Sequence, residues 1–582
     1  MKSKNIVLCF IVICHLSPVV IRAQENLNQS LTLVRPYEPS VTDAQKITTL
    51  PNLKDSFSIK PAFEYSIRPR RMDTRFDVTP ITPARLQPIP QPKLYHGYIK
   101  VGAGTIPNAL GEVAFNTVRN KDYAAGAFFR YNGAGGKVKL DNSEKVFAGS
   151  TDVNGKIYAQ KFLHGAILYG ELGASGITAY NYGYDTKAFK TVEDVRVPID
   201  TTFARGDIRK NYFFADANIG IRSSHFKTEQ LNYNVQLGYK SAYNKLDDMC
   251  SPDFNKPDFI PNPNGYAKYN ENAVNFKAQL DNNMFGGNVN FDLFNRSAAF
   301  DSLRNNFALD INPWFMLDND SIRLQVGMRV AAWKQDNGMQ YAIFPKVEFQ
   351  FTLLKDIFIP FVGIDGYLQP NTYRDIVTEN PFITPGLTVP ISRTKLLIYA
   401  GLKGTLTSKL SYYLRADFST SDKEYFFVND TSSRFQNHFT VITDDINTFS
   451  IKGELYFNPL ESVDLGLKAT YFRYEPSHED YAWHKPKYTI EFLAKYNLRN
   501  KFMINFDIMS IGKRYAKAFY EPEIKYYILK EVFDFNFGIE YRYTKSLSFF
   551  LKLNNLSGAK YYRWNFYPSQ RFNAMAGFTY SL

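Results

Sequence analysis

The chain has 582 residues, a formal net charge of +13 at pH 7 and a mean hydropathy of −0.31. The negative mean hydropathy argues against long apolar helices, and lysines and arginines alternate with acids instead of forming a run, which argues against nucleic-acid binding. Aromatic residues make up 16% of the chain, and Tyr and Phe dominate them. This composition is typical of strands that are apolar on one face only.

The first 23 residues have the pattern of a secretory signal peptide. Two lysines precede an apolar stretch from Ile6 to Ile21, and Ala23 before Gln24 offers a cleavage site with a small final residue. The alternative is a transmembrane anchor, but Ser17-Pro18 interrupts a stretch that is already short for a span. We therefore predict export and cleavage between Ala23 and Gln24.

Residues 24–93 form a second, proline-rich segment. Because proline lacks a backbone donor and fixes φ, this segment is predicted to be extended, with little sheet. Two interpretations stay open. The segment is either a periplasmic tether or a strap that enters a barrel lumen or docks a periplasmic or lipoprotein partner.

From Tyr95 onward the hydrophobic period is two. Val463, Leu465 and Leu467, for example, alternate with Asp464 and Lys468. A soluble sandwich has the same period. However, many of these runs extend over about ten to fifteen residues, the length that a tilted membrane strand needs. One face therefore suits lipid and the other suits water, and residues 94–582 are predicted to form an all-β transmembrane antiparallel barrel.

Connections between the predicted strands alternate between short and long. Ten short turns imply ten hairpins, and an opening strand near 95–104 with a closing strand near 571–582 brings the prediction to about 22 strands. The short turns are predicted to be periplasmic. The predicted long connections are 134–149, 181–209, 243–266, 369–393, 420–445, 475–486, 512–529 and 556–569.

The predicted closing strand is the strongest local pattern. Phe572, Phe578, Tyr580 and Leu582 share one face of an amphipathic strand on which the sequence ends. Outer-membrane proteins commonly end in this way, and the insertion machinery recognises such strands. The expected partners of the barrel are therefore this machinery and outer-membrane lipid, and no nucleic acid.

The same region resembles the last hairpin of TonB-dependent receptors. The resemblance rests on Asn554-Asn555-Leu556, Tyr561-Tyr562, Tyr567-Pro568, Arg571-Phe572 and the ending Gly577–Leu582. It implies a 22-stranded barrel, and the abundance of Tyr and Asn with an Ala-Gln cleavage site resembles the Bacteroidetes branch. The family carries a folded plug before its barrel, whereas only the proline-rich segment precedes this one. The resemblance thus implies a relative that lacks the usual plug.

No catalytic motif, metal site or cofactor site is evident in the sequence, and we expect no enzyme activity. His478-Glu479-Asp480 with His484 could hold a metal or ligand, but a solvated external loop is the favoured interpretation because no second cluster accompanies it. Charges of both signs are predicted to face the lumen, where they pair across strands or line a solute path. These charges are Lys277, Asp281, Arg323, Arg329, Lys452, Glu454, Asp464, Lys468, Glu491 and Lys495.

Three functions are compatible with this architecture. The favoured one is passage or uptake of polar solutes, porin-like or receptor-like, with gating by loops or by the 24–93 segment. The alternative is a non-transporting barrel subunit or scaffold of an outer-membrane assembly or export complex. A barrel enzyme is the third. A lumen of 22 strands is too wide to be filled by its own side chains, so water, inward-folded loops or the 24–93 segment must occupy it.

Overall fold

The computed structural model describes residues 94–184, 186, 189–192, 195–198, 205–206, 208–224, 230–245, 268–297, 305–335, 338–384, 386–430, 437–520 and 523–582. The predicted cleavage site at Ala23 and Gln24 and the 24–93 segment lie outside the described residues. Among those described, no helix is long and apolar enough to cross a membrane.

The described part of the chain contains thirty strands and one short helix, α1 (Tyr373–Glu379). The strands are β1 (Gly97–Gly104), β2 (Asn108–Asn116), β3 (Tyr123–Ala134), β4 (Lys137–Lys139), β5 (Lys145–Phe147), β6 (Ser150–Phe162), β7 (Ala166–Tyr180), β8 (Phe189–Val192), β9 (Val195–Pro198), β10 (Arg209–Ser223), β11 (Asn232–Lys245), β12 (Lys268–Asp281), β13 (Phe285–Arg296), β14 (Asn305–Asp318), β15 (Ile322–Gln335), β16 (Gly338–Phe351), β17 (Ile359–Gln369), β18 (Ser392–Thr407), β19 (Leu410–Asn429), β20 (Phe439–Leu460), β21 (Val463–Pro476), β22 (Tyr488–Leu498), β23 (Phe502–Ile511), β24 (Arg514–Tyr520), β25 (Glu523–Leu529), β26 (Val532–Arg542), β27 (Leu547–Asn554), β28 (Tyr562–Trp564), β29 (Tyr567–Pro568) and β30 (Asn573–Ser581).

Twenty-two of these strands form one closed antiparallel sheet, which confirms the predicted fold class and strand number. The four pairs β4–β5, β8–β9, β24–β25 and β28–β29 are separate two-stranded hairpins in the connections. The barrel closes where β1 pairs with β30, with Val101 opposite Phe578. His96 N donates to Leu582 O at 2.9 Å, so the two ends of the barrel meet at one rim.

Nine of the ten predicted short turns lie at that same rim, and the tenth, at 225–226, falls outside the described residues. We assign this rim to the periplasm, because outer-membrane barrels have their short turns on that side. Asparagines fix several of them because the side-chain oxygen accepts from the backbone two and three residues on. Asn282 Oδ1, for example, accepts from the N–H groups of Met284 and Phe285 at 2.9 and 2.7 Å. The alternation of hydrophobicity and these local turns together set the strand register.

Connections at the opposite, extracellular rim are less regular than predicted. β1 and β2 are joined by residues 105–107 alone, and only two residues separate β15 from β16. The predicted long connection 420–445 is wrong, because β19 continues to Asn429 and β20 begins at Phe439. These two strands project beyond their neighbours as a ladder, which satisfies their backbone groups without a loop.

Large apolar side chains cover the outer face of the barrel. Leu172 is 61% exposed, and Ile343 and Tyr341 are each 72% exposed. A soluble protein rarely exposes a continuous apolar surface of this kind, whereas lipid covers it in a membrane. A closed sheet is also one of the two structures that satisfy their backbone hydrogen bonds in lipid. The architecture is that of a barrel of the outer membrane.

Connections from the extracellular rim fold together into one buried core, here called the cap. Its buried side chains come from the β4–β5 hairpin and its flanks, from the upper ends of β7, β10, β11, β12, β19 and β20, and from the 181–208, 370–391 and 555–572 connections. They are Val138, Leu140, Val146, Ala148, Tyr180, Tyr182, Tyr184, Ile208, Tyr212, Phe214, Ala242, Tyr269, Tyr373, Ile376, Val377, Ile383, Val389, Tyr425, Phe427, Phe439, Trp564 and Tyr567. Inward-folded loops therefore occupy the upper lumen.

Candidate functional site

The lumen wall carries charges of alternating sign on neighbouring strands. Glu454, Lys468 and Glu491 lie opposite one another on β20, β21 and β22. Lys452 Nζ lies 2.6 Å from Glu454 Oε1 on the same face. Opposite charges on facing positions each contribute roughly 0.2–1 kcal/mol to a sheet. The wall is thus polar without a large excess of either sign along this stretch.

The other predicted lumen charges have polar or oppositely charged neighbours too. Their neighbours are Asp310 at 3.3 Å from Arg329 Nε, Asp318 at 2.9 Å from Arg323, Asn458 at 2.6 Å from Asp464 Oδ1, Asp464 opposite Lys495, Asn290 opposite Lys277 and Asn232 opposite Asp281. Each of these charges thus has a polar neighbour in the wall. The same groups can also form direct or water-mediated hydrogen bonds with a passing polar solute.

Helix α1 enters this lumen from the extracellular side. It belongs to the connection between β17 and β18, yet its contacts are with β7, β10, β11 and β12, further around the wall. Thr372 caps its N-terminus, with Oγ1 accepting from Asp375 N at 3.2 Å. Tyr373, Ile376 and Val377 form its buried face. The short helix is held by tertiary contacts, since seven residues are too few for a helix stable on its own.

Glu271 on β12 is the most buried anchor of this helix. Its Oε2 lies 2.6 Å from Arg296 Nε on β13, and both side chains are about 5% exposed. Its Oε1 accepts from the backbone N–H of Tyr373 at 2.9 Å. On the far side, Asn244 Nδ2 donates to the Tyr373 hydroxyl at 3.1 Å. A buried carboxylate that holds both a wall strand and the helix fixes α1 to one side of the barrel.

Arg374 makes the second contact, lower in the lumen. Its Nη1 lies 2.9 Å from Asp216 Oδ1, and its Nη2 lies 3.3 Å from Ser175 Oγ. Asp216 is the middle residue of β10, so the arginine reaches well below the rim. This pair is partly exposed, with side-chain exposures of 35% and 20%. It is therefore much easier to break than the Glu271 pair.

Aromatic rings from three connections, 181–208, 370–391 and 555–572, meet near α1. The rings of Phe382 and Tyr567 stack at 3.9 Å, and Tyr182 meets Tyr567 edge-on at 4.9 Å. The buried hydroxyls find backbone acceptors: Tyr182 donates to Pro568 O at 2.9 Å and Tyr567 donates to Asn437 O at 2.5 Å. Burial raises the pKa of the Tyr182 hydroxyl, so it stays a neutral donor. The 370–391 and 555–572 connections thus close the mouth as one unit.

The His478 cluster is divided by the fold and does not converge on one point. His478 is exposed and lies 2.7 Å from Asp444 Oδ1, while Glu479 pairs with Lys517 at 2.7 Å. His484 departs from the solvated loop that was expected, because it is buried beneath Trp564 and its Nδ1 lies 2.9 Å from Phe427 O. Burial lowers the pKa of His484 to about 3. Over the described ranges, no group of three or more His, Cys, Asp or Glu could hold a metal ion.

The closing strand presents its predicted residues to the outside. Phe572, Phe578, Tyr580 and Leu582 are between 41% and 46% exposed. β30 pairs with β27 on one side and β1 on the other, so these side chains continue the apolar outer face across the closure. Their recognition by the insertion machinery stays a prediction.

Solved structures of outer-membrane receptors share this fold. The siderophore receptor PirA from Acinetobacter baumannii is 11% identical, with a TM-score of 0.61 over 84% of this chain and 80% of that one. The FrpB iron transporter from Neisseria meningitidis (F3-3 variant) is 11% identical, with a TM-score of 0.59 over 84% and 82%. The ferripyoverdine receptor of Pseudomonas aeruginosa is 12% identical, with a TM-score of 0.58 over 84% and 72%.

This chain shares the barrel fold of these receptors. At this identity the likeness extends to the fold, and the neighbours are transport receptors. No protein-family profile matches the sequence. No curated protein matches it either.

Sequence reasoning missed the residues that hold α1 against the barrel wall. Glu271, Arg296 and Arg374 lie in strands or connections whose local pattern is unremarkable, and their partners are distant in the sequence. One signal was present: Thr372 followed by Asp375 has the spacing of a helix N-cap with an acid in the first turn. It would have placed a helix in the predicted polar connection 369–393.

Proposed function

We propose that this protein passes polar solutes across the outer membrane, in the manner of a TonB-dependent receptor barrel, with α1 as the extracellular gate. One observation carries the proposal: a short helix from a connection, not from a barrel strand, enters a charged lumen and is bound there to the wall through Glu271 and Arg374. Withdrawing α1 would break its side-chain anchors and the single bridge between Ile383 and Phe439, and would leave the pairing of the twenty-two barrel strands intact.

The wall beneath the gate supports polar cargo. Its charges are paired across strands, so the path offers hydrogen-bonding groups of both kinds and no strong net field. The neighbours are receptors and transporters for iron and for ferripyoverdine, according to their names. We propose the broader class of polar solutes for this chain, because no described residue cluster selects a particular one.

Planar-bilayer conductance tests the gate directly. The wild-type chain should show a small conductance, and Arg374→Ala should increase it because the helix loses its lower anchor. Arg323→Ala, a lumen arginine near the periplasmic rim that pairs with Asp318, is the matched control and should leave the conductance near the wild-type value. Absence of conductance in every variant, with or without residues 24–93, would overturn the proposal.

A second function is favoured by the extent of the cap. Its core draws on many separate parts of the chain and buries many aromatic side chains, which suits a closed scaffold as well as a gate. On this proposal residues 24–93 recruit periplasmic or lipoprotein partners to an assembly or export complex. Affinity purification in mild detergent separates the two functions, since recovery as a lone barrel would count against the scaffold.

The 24–93 segment remains part of both proposals. In the transporter it stands where the related receptors carry their plug, and we propose that this chain is a member of the Bacteroidetes type in which the plug is reduced. Deleting residues 24–93 should then raise conductance in the transporter. In the scaffold, the same deletion should instead abolish partner recovery and leave conductance unchanged.

A further inference from the structure

One periplasmic turn differs from the others in composition. The turn between β16 and β17 contains Leu353, Leu354, Ile357 and Phe358, here called the apolar turn. Their exposures are 53%, 58%, 41% and 37%. Four large apolar side chains in one short connection would be costly to leave in water, because exposed apolar area is unfavourable by roughly 25 cal/mol per Å².

Other described turns at the same rim are polar or carry a single large apolar side chain, such as Leu163 or Met284. Asn319-Asp320-Ser321 joins β14 to β15, and Glu461-Ser462 joins β20 to β21. These sequences are typical of turns that face water. The apolar turn is therefore a local property of the β16–β17 connection, and the rim as a whole does not require it.

The backbone of the apolar turn lies on the outer side of the barrel wall. Asp356, with φ of 62°, turns the chain, and its carbonyl accepts from Thr405 N at 2.6 Å. The Ile357 carbonyl accepts from the Tyr412 hydroxyl at 2.9 Å. Tyr412 faces outward, since it alternates with Leu414, which is 49% exposed on the lipid face.

Gly404 permits this arrangement. It lies opposite Tyr412, and a Cβ at this position would come within 1.9 Å of the Ile357 oxygen. Any larger residue would push the turn away from the outer wall. The turn therefore rests on the lipid-facing side of β18 and β19, and does not hang beneath the lumen.

The apolar surface of the turn continues that of the wall. Leu406, at the foot of β18, is 52% exposed, and it lies next to Thr405, which holds the turn. At the tip of the turn, Lys355 and Asp356 supply charges that suit the lipid headgroups on the periplasmic side of the apolar side chains. From the barrel wall to the tip of the turn, the surface is therefore first apolar and then charged.

We propose that the apolar turn is a membrane foot: its four apolar side chains insert into the inner leaflet of the outer membrane, beside β18 and β19. The partner is the lipid surface itself. A periplasmic protein that covers the same side chains is the competing occupant, and the outcomes below distinguish it.

Site-specific fluorescence tests the proposal. In the chain from Gln24 onward, which lacks Cys9 and Cys14 and carries Cys250→Ser, Leu354→Cys is labelled with the environment-sensitive fluorophore NBD and reconstituted into phosphatidylcholine vesicles. Asp320→Cys, in the exposed polar turn of the same rim, is the matched control. The label at position 354 should emit at shorter wavelength and be quenched by lipids brominated near the headgroup, because interfacial side chains lie about 5–10 Å into that region. The label at 320 should respond to aqueous iodide.

Two results would overturn the foot. In the first, the label at 354 is quenched by iodide as strongly as the label at 320 and is unaffected by brominated lipid. In the second, the label at 354 is protected from iodide in native outer membranes but not in vesicles that contain only lipid and the labelled barrel. This result would identify a covering protein. Labelling at an exposed side chain leaves the fold intact, and heat-modified migration of the labelled barrel verifies this.

Discussion

The barrel wall and the cap are built by different means. In the wall, one rule of alternation repeats over twenty-two strands, and no single side chain is essential to it. In the cap, buried groups such as Glu271 and Tyr567 each hold two distant segments together. The comparison shows that the two regions depend on individual contacts to different degrees. The wall forms a stable ring by repetition, whereas a few buried contacts determine the closed arrangement of the cap.

The largest effect should come from Glu271→Ala. The change leaves the nearly buried Arg296 without the carboxylate at 2.6 Å and removes the acceptor of Tyr373 N. Breaking a buried pair of this kind costs about 3–5 kcal/mol. Hydrogen exchange should show α1 opening while the strand amides stay protected. Glu491→Ala in the wall is the control, and equal loss of protection in the two variants would abolish the contrast.

A smaller effect is expected for Tyr567→Phe. The ring and its stacking on Phe382 at 3.9 Å remain, but Asn437 O loses a hydrogen bond inside the cap. An unsatisfied buried acceptor costs about 1–3 kcal/mol. Limited proteolysis should cut the 555–572 connection faster than in the wild type. Tyr580→Phe on the outer face is the comparison, and faster cleavage there would contradict the prediction.

The 477–487 connection, which lies next to the cap, should also respond to pH through one exposed residue. The hydrogen bond with Asp444 raises the pKa of His478 above its unfolded value of about 6.5. The contact therefore stabilises the 477–487 connection fully below that unfolded value and is lost as the pH rises through the folded value. Protection of this connection should therefore decrease as the pH is raised above about 6.5. His478→Ala should remove the pH dependence, and an unchanged dependence would exclude His478 as its source.

The smallest effect is expected in the wall. Lys452→Gln removes an ion pair with Glu454 in which the lysine is 43% exposed. Such pairs contribute about 0–1 kcal/mol, so the thermal unfolding midpoint should barely move. A loss comparable to that of Glu271→Ala would mean that the wall, too, depends on individual contacts.

This contrast explains how much the sequence alone could predict. The strand number, the closure by β30 and the short turns follow from alternation and from asparagine turns such as that of Asn282, which are local features. A one-residue shift of register would turn every apolar side chain inward, so the pattern fixes the wall strongly.

The cap could not be predicted in the same way. Tyr182 and Pro568 are 386 positions apart, and nothing near either residue indicates the other. His484 shows the consequence, because its loop composition suggested solvent, whereas Trp564 and Phe439 bury it. Helix α1 is the part that the sequence could have predicted, because the N-cap formed by Thr372 with Asp375 in the first turn is a local signal.

The closure of β1 on β30 also has a consequence for biogenesis. Every other pair of neighbouring barrel strands follows one another in the sequence of barrel strands. Only the pairing of β1 with β30 joins the first barrel strand to the last. Until Asn573–Ser581 arrives, the growing sheet has two unpaired edges that would attract any other strand. The ring can therefore be completed only after the whole chain has been delivered, and a truncation of a few terminal residues should leave an open, aggregation-prone sheet.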